Sequence, residues 1–352
     1  MPAQQYRILV SGSAPALYPT DTFFGLLYYN RDEALEIPKR YPYSGEWGKP
    51  LSRHLMERER YPMPGLLDIV WLSVTEGVFY SLMKILPTEQ MEQLFSQTDK
   101  ENGEPLFEHI VVGMAPYGGV AVWTHGDKKS VLVGWYHAQE IEVDMKDFMP
   151  LNPTVTLDEN CDFYIENDPR VLENLEENGL PPLDLFDKYM QQFYYCYLPV
   201  FEHWDEENGE WTEYGEKEVM PVMDYIEESL YDGTHDKLHD GGLMAYHKAG
   251  KPQKLALQWH IGKSAYTAYF WFDDKEICKA YDQFYNTDAD KESDFIFFLD
   301  PEIHKYELAL YREKEEEMME ISNMAYQLIV FKNKFECYRS DNYNQERGAW
   351  IW

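Results

Sequence analysis

The residue types that could do chemistry are few and thinly spread. The stretch Asp232-Gly233-Thr234-His235-Asp236-Lys237-Leu238-His239-Asp240-Gly241-Gly242 sets two histidines four apart. On a helix that spacing binds zinc in metalloproteases, with a Glu directly after the first His as general base. Here that place is taken by Asp236, whose shorter side chain puts its carboxylate elsewhere, and the flanking glycines leave barely two turns of helix. Two histidines are also only half of a typical zinc ligand set. An acidic loop joining a helix to a strand is the better account, so no metal is expected. His125, His137 and Glu140 lie near successive strand ends, but nothing orients a nucleophile beside them. Ser11-Gly12-Ser13 and Gly118-Gly119 are too short and wrongly placed to cradle a phosphate, and Ser73 lacks the Gly-x-Ser-x-Gly elbow. The chain therefore reads as non-enzymatic and without a cofactor.

Binding residues stand out more than catalytic ones. Runs of acids at Glu173, Glu176 and Glu177, at Asp205 to Glu210, and at Glu313 to Glu317 are usually solvated faces. They concentrate in the second half, and around the middle run sit Trp204, Trp211 and Tyr214. Aromatic anchors ringed by charge fit a protein interface. The candidate partner-binding set is Trp204, Asp205, Glu206, Glu207, Glu210, Trp211 and Tyr214. Trp71, Trp123 and Trp259 could line a sugar-binding face, although a Trp at an alternating strand position is more often core.

These residues need elements to position them. The 352 residues exceed a typical single domain of roughly 100–200, which favours two domains or fused repeats. Residues 62–95 carry the clearest pattern. Leu67, Ile69 and Trp71 alternate on one strand, Val78, Tyr80 and Leu82 on the next, and Met91, Leu94 and Phe95 fall at helical spacing after Pro87, with Thr88 expected as N-cap. Ile110–Gly113, Val120–Thr124 and Val131–His137 predict an antiparallel meander. Residues 30–62 read as a long surface loop. The proline-rich, acidic stretch 146–184 suggests a boundary, with helices at 169–178 and 183–192.

After it, 193–201 is a continuous apolar strand, with 201–215 as its partner through an Asn208-Gly209 hairpin, and 217–231 reads as a helix with Val219, Met223 and Ile226 on one face. A fainter copy of the first pattern follows. Pro252 and Trp259 are separated as Pro64 and Trp71 are, 259 − 252 = 71 − 64 = 7, and Asp273 or Asp274 then caps a helix bearing Ile277, Ala280, Tyr281 and Phe284. Strands at 295–299, 306–311, 326–331 and 335–338 complete a second meander.

Charge narrows the partners. With 31 Lys and Arg against 63 Asp and Glu, the net charge is −32, which disfavours nucleic acid and anionic membrane surfaces and suits a basic partner. No apolar run approaches the about 18 residues of a membrane span. Cys161, Cys196, Cys278 and Cys337 are widely spaced and read as buried thiols in a reducing compartment. The start, MPAQQYRILVSGSAP, lacks a basic and apolar signal, so a cytoplasmic location is expected, or a periplasmic one if a signal was removed.

Trp71-Leu72-Ser73, Glu76 followed by Phe79-Tyr80, Leu86-Pro87 and Ala115-Pro116-Tyr117-Gly118-Gly119-Val120-Ala121-Val122-Trp123 together resemble the bacterial domain-of-unknown-function family 2931. Ala14-Pro15, Tyr18-Pro19 and Glu46-Trp47-Gly48 also fit its pattern, and the resemblance covers about residues 6–145. It implies a fold more than a chemistry. Members are often described as lipoproteins, and some lie in gene neighbourhoods that suggest immunity to toxins delivered between bacteria. This chain has no lipidation cysteine near its start. The expected fold is α+β, two related halves (1–149 and 150–352, the second with acidic insertions), each an antiparallel β-sheet with a helix packed on one face. The expected function is an immunity-type protein that neutralises a secreted antibacterial toxin through an acidic surface. The alternative is a carbohydrate- or small-ligand-binding module.

Overall fold

Apolar alternation becomes sheet wherever both faces of a strand find cover. The computed structural model describes residues 4–39, 43–50, 60–99, 102–215, 218–239, 242–286, 288–302, 304–322, 324–332, 335–341 and 343. It forms two compact units, divided between Lys188 and Tyr189. The first contains β1 (Gln5–Tyr6), β2 (Leu9–Ser13), β3 (Thr20–Tyr28), β4 (Ala34–Glu36), β5 (Tyr61–Pro62), β6 (Leu66–Ser73), β7 (Val78–Ile85), α1 (Thr88–Phe95), β8 (His109–Ala115), β9 (Gly119–His125), β10 (Ser130–His137), β11 (Gln139–Ile141), α2 (Met145–Phe148), α3 (Leu157–Asn167) and α4 (Pro169–Asn178), and α5 (Leu185–Tyr189) lies at the division.

Two larger sheets run in the orders β10-β9-β8-β2 and β11-β7-β6-β3-β4. The expected meander is present, but it is extended by β2, which pairs with β8 in parallel. That pairing joins segments about a hundred residues apart and leaves no trace in local periodicity. Leu67, Ile69 and Trp71 of β6 meet Ile110, Val112, Val120 and Val122 of the other sheet in one cluster, which Met91 and Phe95 of α1 also enter. On the other face of β6 and β7, Leu72 and Phe79 pack with Cys161 and, half-buried, Phe148 and Tyr164 of α2 and α3. A strand buried on both faces reads as a near-continuous apolar run, as Leu66–Ser73 does. Thr88, expected as a cap, is the first helical residue, and Pro87 holds the cap position without a side-chain bond. Glu76 has a structural role: its carboxylate accepts from the Tyr80 hydroxyl and from the backbone N–H of Tyr117, both at 3.0 Å, and so braces Tyr117 at φ 59°.

The second unit contains β12 (Phe193–Phe201), β13 (His203–Asp205), β14 (Glu210–Thr212), β15 (Val222–Leu230), β16 (His235–His239), β17 (His247–Ala249), β18 (Pro252–Ile261), β19 (Ser264–Trp271), α6 (Asp274–Tyr285), β20 (Ser293–Asp300), β21 (Lys305–Arg312), β22 (Glu317–Glu320), β23 (Ala325–Phe331) and β24 (Phe335–Arg339). Its sheets run β17-β12-β20-β21-β22 and β16-β15-β18-β19-β23-β24, with β12 parallel to β20. The fold class is α+β with several largely antiparallel sheets.

Three local expectations change. The helix expected over 217–231 is strand β15, where Ile226, Glu228 and Leu230 are buried at period two; the buried Glu228 broke the apolar alternation and made a helical period look better. The histidine segment is strand β16, not a helix. The 193–201 strand pairs with β17 and β20, while 203–212 closes on itself. Of the cysteines, all free, three are buried and Cys337 on the edge strand β24 is exposed. Parts of the loop expected at 30–62 lie outside the described residues.

Asp21 links β3 to the helical cover. Burial raises its carboxyl to about 6 even though the Tyr164 hydroxyl donates to it at 3.2 Å. A carboxyl whose folded pKa is raised favours the fold below its unfolded value near 3.8, and that contribution is lost as pH rises through about 6. Asp21→Asn should therefore stabilise the protein above pH 6 by an amount of order 2–3 kcal/mol and leave it nearly unchanged at pH 4. Urea unfolding of both proteins across pH 4–8 measures this; a constant difference between them would refute it.

Candidate functional site

Cross-strand pairing builds the site. In the β13–β14 hairpin Trp204 is opposite Trp211 and Asp205 opposite Glu210. Gly209 closes the turn at φ 68°, a left-handed position that costs glycine little. The Asp205 carboxylate accepts from the backbone N–H groups of Glu207 (2.8 Å) and Asn208 (3.2 Å) and from the Asn208 side-chain amide (2.6 Å). The Asn208 amide, then those two N–H groups, hold it below the usual carboxylate range, so the turn is fixed around a negative charge.

The indoles are braced from beneath by β20 and β21. They meet edge-on at 5.3 Å, and Trp211 stacks on Phe298 at 5.7 Å. The Trp211 indole N–H donates to Glu307 at 2.9 Å, Glu307 also pairs with Lys305 at 2.9 Å, and the Lys305 ammonium lies 4.5 Å from the Trp204 ring centre. Burial pushes the Glu307 carboxyl up, but the indole N–H and Lys305 outweigh it and hold it below the usual carboxylate range. Both indoles stay half-exposed, while Glu206, Glu207 and Glu210 are exposed around them. Two rigid aromatic groups held in place before binding lose little entropy on contact.

Tyr214 does not join this group. It stacks on His203 at 4.1 Å, and His203 neighbours Trp204 on a strand and so points to the opposite face. Burial, then the carboxylates of Asp300, Glu302 and Glu218, push its phenol upward. The supporting residues Phe298, Lys305 and Glu307 were not singled out from sequence, since nothing local ties them to a hairpin some ninety residues earlier.

The alternatives do not assemble. His125 and His137 sit at opposite ends of the β9–β10 hairpin, opposite Ser130 and Gly119, which puts them about 20 Å apart at about 3.3 Å per residue. His235 and His239 share one face of an edge strand, and among the described residues no group of three or more His, Cys, Asp or Glu is placed to hold a metal. Trp71, Trp123 and Trp259 are fully buried, so none can present a sugar-binding face. A buried polar cluster exists in the second unit: Tyr197 donates to Glu228 at 2.5 Å, Tyr195 donates to the Gly250 carbonyl at 2.7 Å, and His247 lies 3.8 Å from Glu228. Burial pulls the His247 imidazole down, but Glu228 more than compensates and raises it. The cluster ties β12, β15 and β17 together.

The fold is mixed α+β, and the candidate surface is a braced hairpin of aromatic and acidic side chains. The family model described as "Protein of unknown function (DUF2931)" matches residues 4–181, 178 of 352 positions, and the chain belongs to that family. The match takes in α2, α3 and α4 as well as the sheets of the first unit. No curated protein and no solved structure matches the chain. Among the described residues no helix is long and apolar enough to cross a membrane.

Proposed function

We propose that this is a non-enzymatic binding protein of the immunity type, which neutralises a secreted antibacterial toxin by presenting an acidic surface to a basic partner. The β13–β14 hairpin carries this reading. It occupies twenty residues between β12 and β15 (202–221), where the first unit has six between β2 and β3 (14–19). An added hairpin with two pre-positioned indoles inside a ring of carboxylates suits a basic surface, because the charges speed encounter and the aromatic anchors supply affinity. The free thiols fit a reducing cytoplasm as the place of action.

The two units are, in this account, copies of one fold, which makes the hairpin an insertion into a repeated scaffold. Several correspondences support that. The order β2-β8-β9-β10 parallels β12-β20-β21-β22, and β4-β3-β6-β7-β11 parallels β16-β15-β18-β19-β23. A register shift falls after the residue opposite Trp71 (Thr22) and after the one opposite Trp259 (Met223). Trp71 lies 5.5 Å from Tyr80, and Trp259 5.5 Å from Tyr266. The helix then begins at the same distance, 88 − 80 = 274 − 266 = 8. An experimental structure in which Trp71 and Trp259 fail to superpose when the two sheets are overlaid would end the repeat reading.

A cleft of about 320 Å³ lined by Ser13, Tyr43, Ser44, Glu46 and Lys49 favours a small-ligand module. The Ser13 and Ser44 hydroxyls already donate to backbone carbonyls, which leaves little there to recognise a sugar.

Calorimetry of the purified protein with the toxin encoded beside its gene tests the function. Saturable binding is expected, weakening as salt is raised, and Trp204→Ala with Trp211→Ala should cost at least 2 kcal/mol. Absence of both binding and protection from the toxin would sink the reading.

A further inference from the structure

We propose that the part of the β7-β6-β3-β4 sheet face that α2 and α3 leave bare is a docking surface for a partner protein's helix that carries one Lys or Arg within its apolar side. The surface lies in the first unit, away from the β13–β14 hairpin in sequence, and its argument does not use the toxin reading.

Register defines the face. Leu27, Leu35, Leu67 and Leu82 point into the core, so their neighbours along β3, β4, β6 and β7 point the other way. One row across these strands is Glu36, Leu26, Asp68 and Met83, and the next is Ala34, Tyr28, Leu66 and Ile85. None of the eight is buried, and at the β7 end Met83 is 66% and Ile85 77% exposed. Outward apolar residues belong to strands whose two faces are both covered. The chain's own cover stops short of them: Phe148 and Tyr164 pack over Leu72 and Phe79, four residues further along β6 and β7.

Charge decides what fits. The covered part of the same face also holds an outward carboxylate, because Asp21 lies opposite Leu72, and there helix α3 supplies the Tyr164 hydroxyl, which donates at 3.2 Å. Asp68 is the corresponding acid of the bare part. It lies between Leu26 and Met83 and has no hydrogen-bond or ion-pair partner among the described residues, whereas Glu36 at the margin pairs with Lys39 at 2.9 Å. Partial burial already raises the Asp68 carboxyl. A wholly apolar cover would leave that group buried and unpaired at a cost of several kcal/mol, while a Lys or Arg in the cover meets it with a charge-assisted hydrogen bond. Asp68 thus rejects one class of partner and selects the other.

Size sets the occupant. Four strands at about 4.8 Å and two rows at about 6.8 Å make a patch of about 19 by 13 Å, roughly 250 Å². That is well below the about 800 Å² a side of a stable dimer, and a second copy would also set Asp68 against Asp68. It matches one helix, about 10–12 Å wide and about 13 residues long at 1.5 Å per residue. A helix there continues the layer that α2 and α3 begin.

The test titrates the full chain, labelled with methyl-13C methionine, with an alanine-based helical peptide of about 14 residues that has leucines along one side and a single lysine among them. The Met83 methyl signal should shift saturably. Asp68→Asn should weaken this binding at least fivefold, yet leave unchanged or strengthen binding of the same peptide with leucine in place of the lysine. Met83→Ser/Ile85→Ser should weaken both peptides at least fivefold. No saturable shift at Met83, or equal effects of Asp68→Asn on the two peptides while its circular dichroism stays native, would overturn the proposal. So would a dimer in sedimentation that Met83→Ser/Ile85→Ser dissolves, since the face would then belong to a second copy.

Discussion

The contact on which each unit depends is the pairing of a buried Trp with a Tyr on the adjacent strand, beside a break in register on the strand at its other side. Trp71 with Tyr80, and Trp259 with Tyr266, sit at the centre of their sheets, and both tryptophans are fully buried. Neither indole N–H has a hydrogen-bond partner among the described residues, an omission that costs about 1–3 kcal/mol each. Burying roughly 200 Å² of ring at about 25 cal/mol per Å² offsets that with several kcal/mol. The register break increases the local twist and bends β3 and β15.

Much of this was legible because its signals are local. The Asp273 cap, Pro169 at the first helical position and the Asn208-Gly209 turn each depend on residues within one turn or one hairpin. Helix α3 had a readable sign in Thr156-x-x-Glu159, a reciprocal capping box, but the surrounding prolines drew attention to a boundary instead. Strand β15 was hidden because Glu228 sits inside, where it accepts from Tyr197 and lies 3.8 Å from His247, residues of other strands. The parallel pairs β2–β8 and β12–β20 were hidden because pairing over about a hundred residues has no local signature.

The candidate surface was legible to the same extent. Asn208-Gly209 between two tryptophans announces a hairpin, whose pairing sets Trp204 opposite Trp211 across a loop of residues 206–209, and the acids between them announce an exposed turn. Sequence proximity cannot say which face Tyr214 takes, and the odd count from Trp204 to His203 puts it on the other one. Nor can it supply Glu307 and Lys305, which hold the two half-exposed indoles in place. Family membership over residues 4–181 describes the scaffold, whereas the hairpin lies beyond that match.

Hydrogen exchange of the protein with and without the toxin encoded beside its gene tests the central claim most directly. The account predicts slowed exchange over residues 203–212 and in the β21 strand beneath them, with the sheets of the first unit unchanged. Protection confined to the cleft around Ser13 and Ser44, or no change at the hairpin in a complex that has formed, would contradict it.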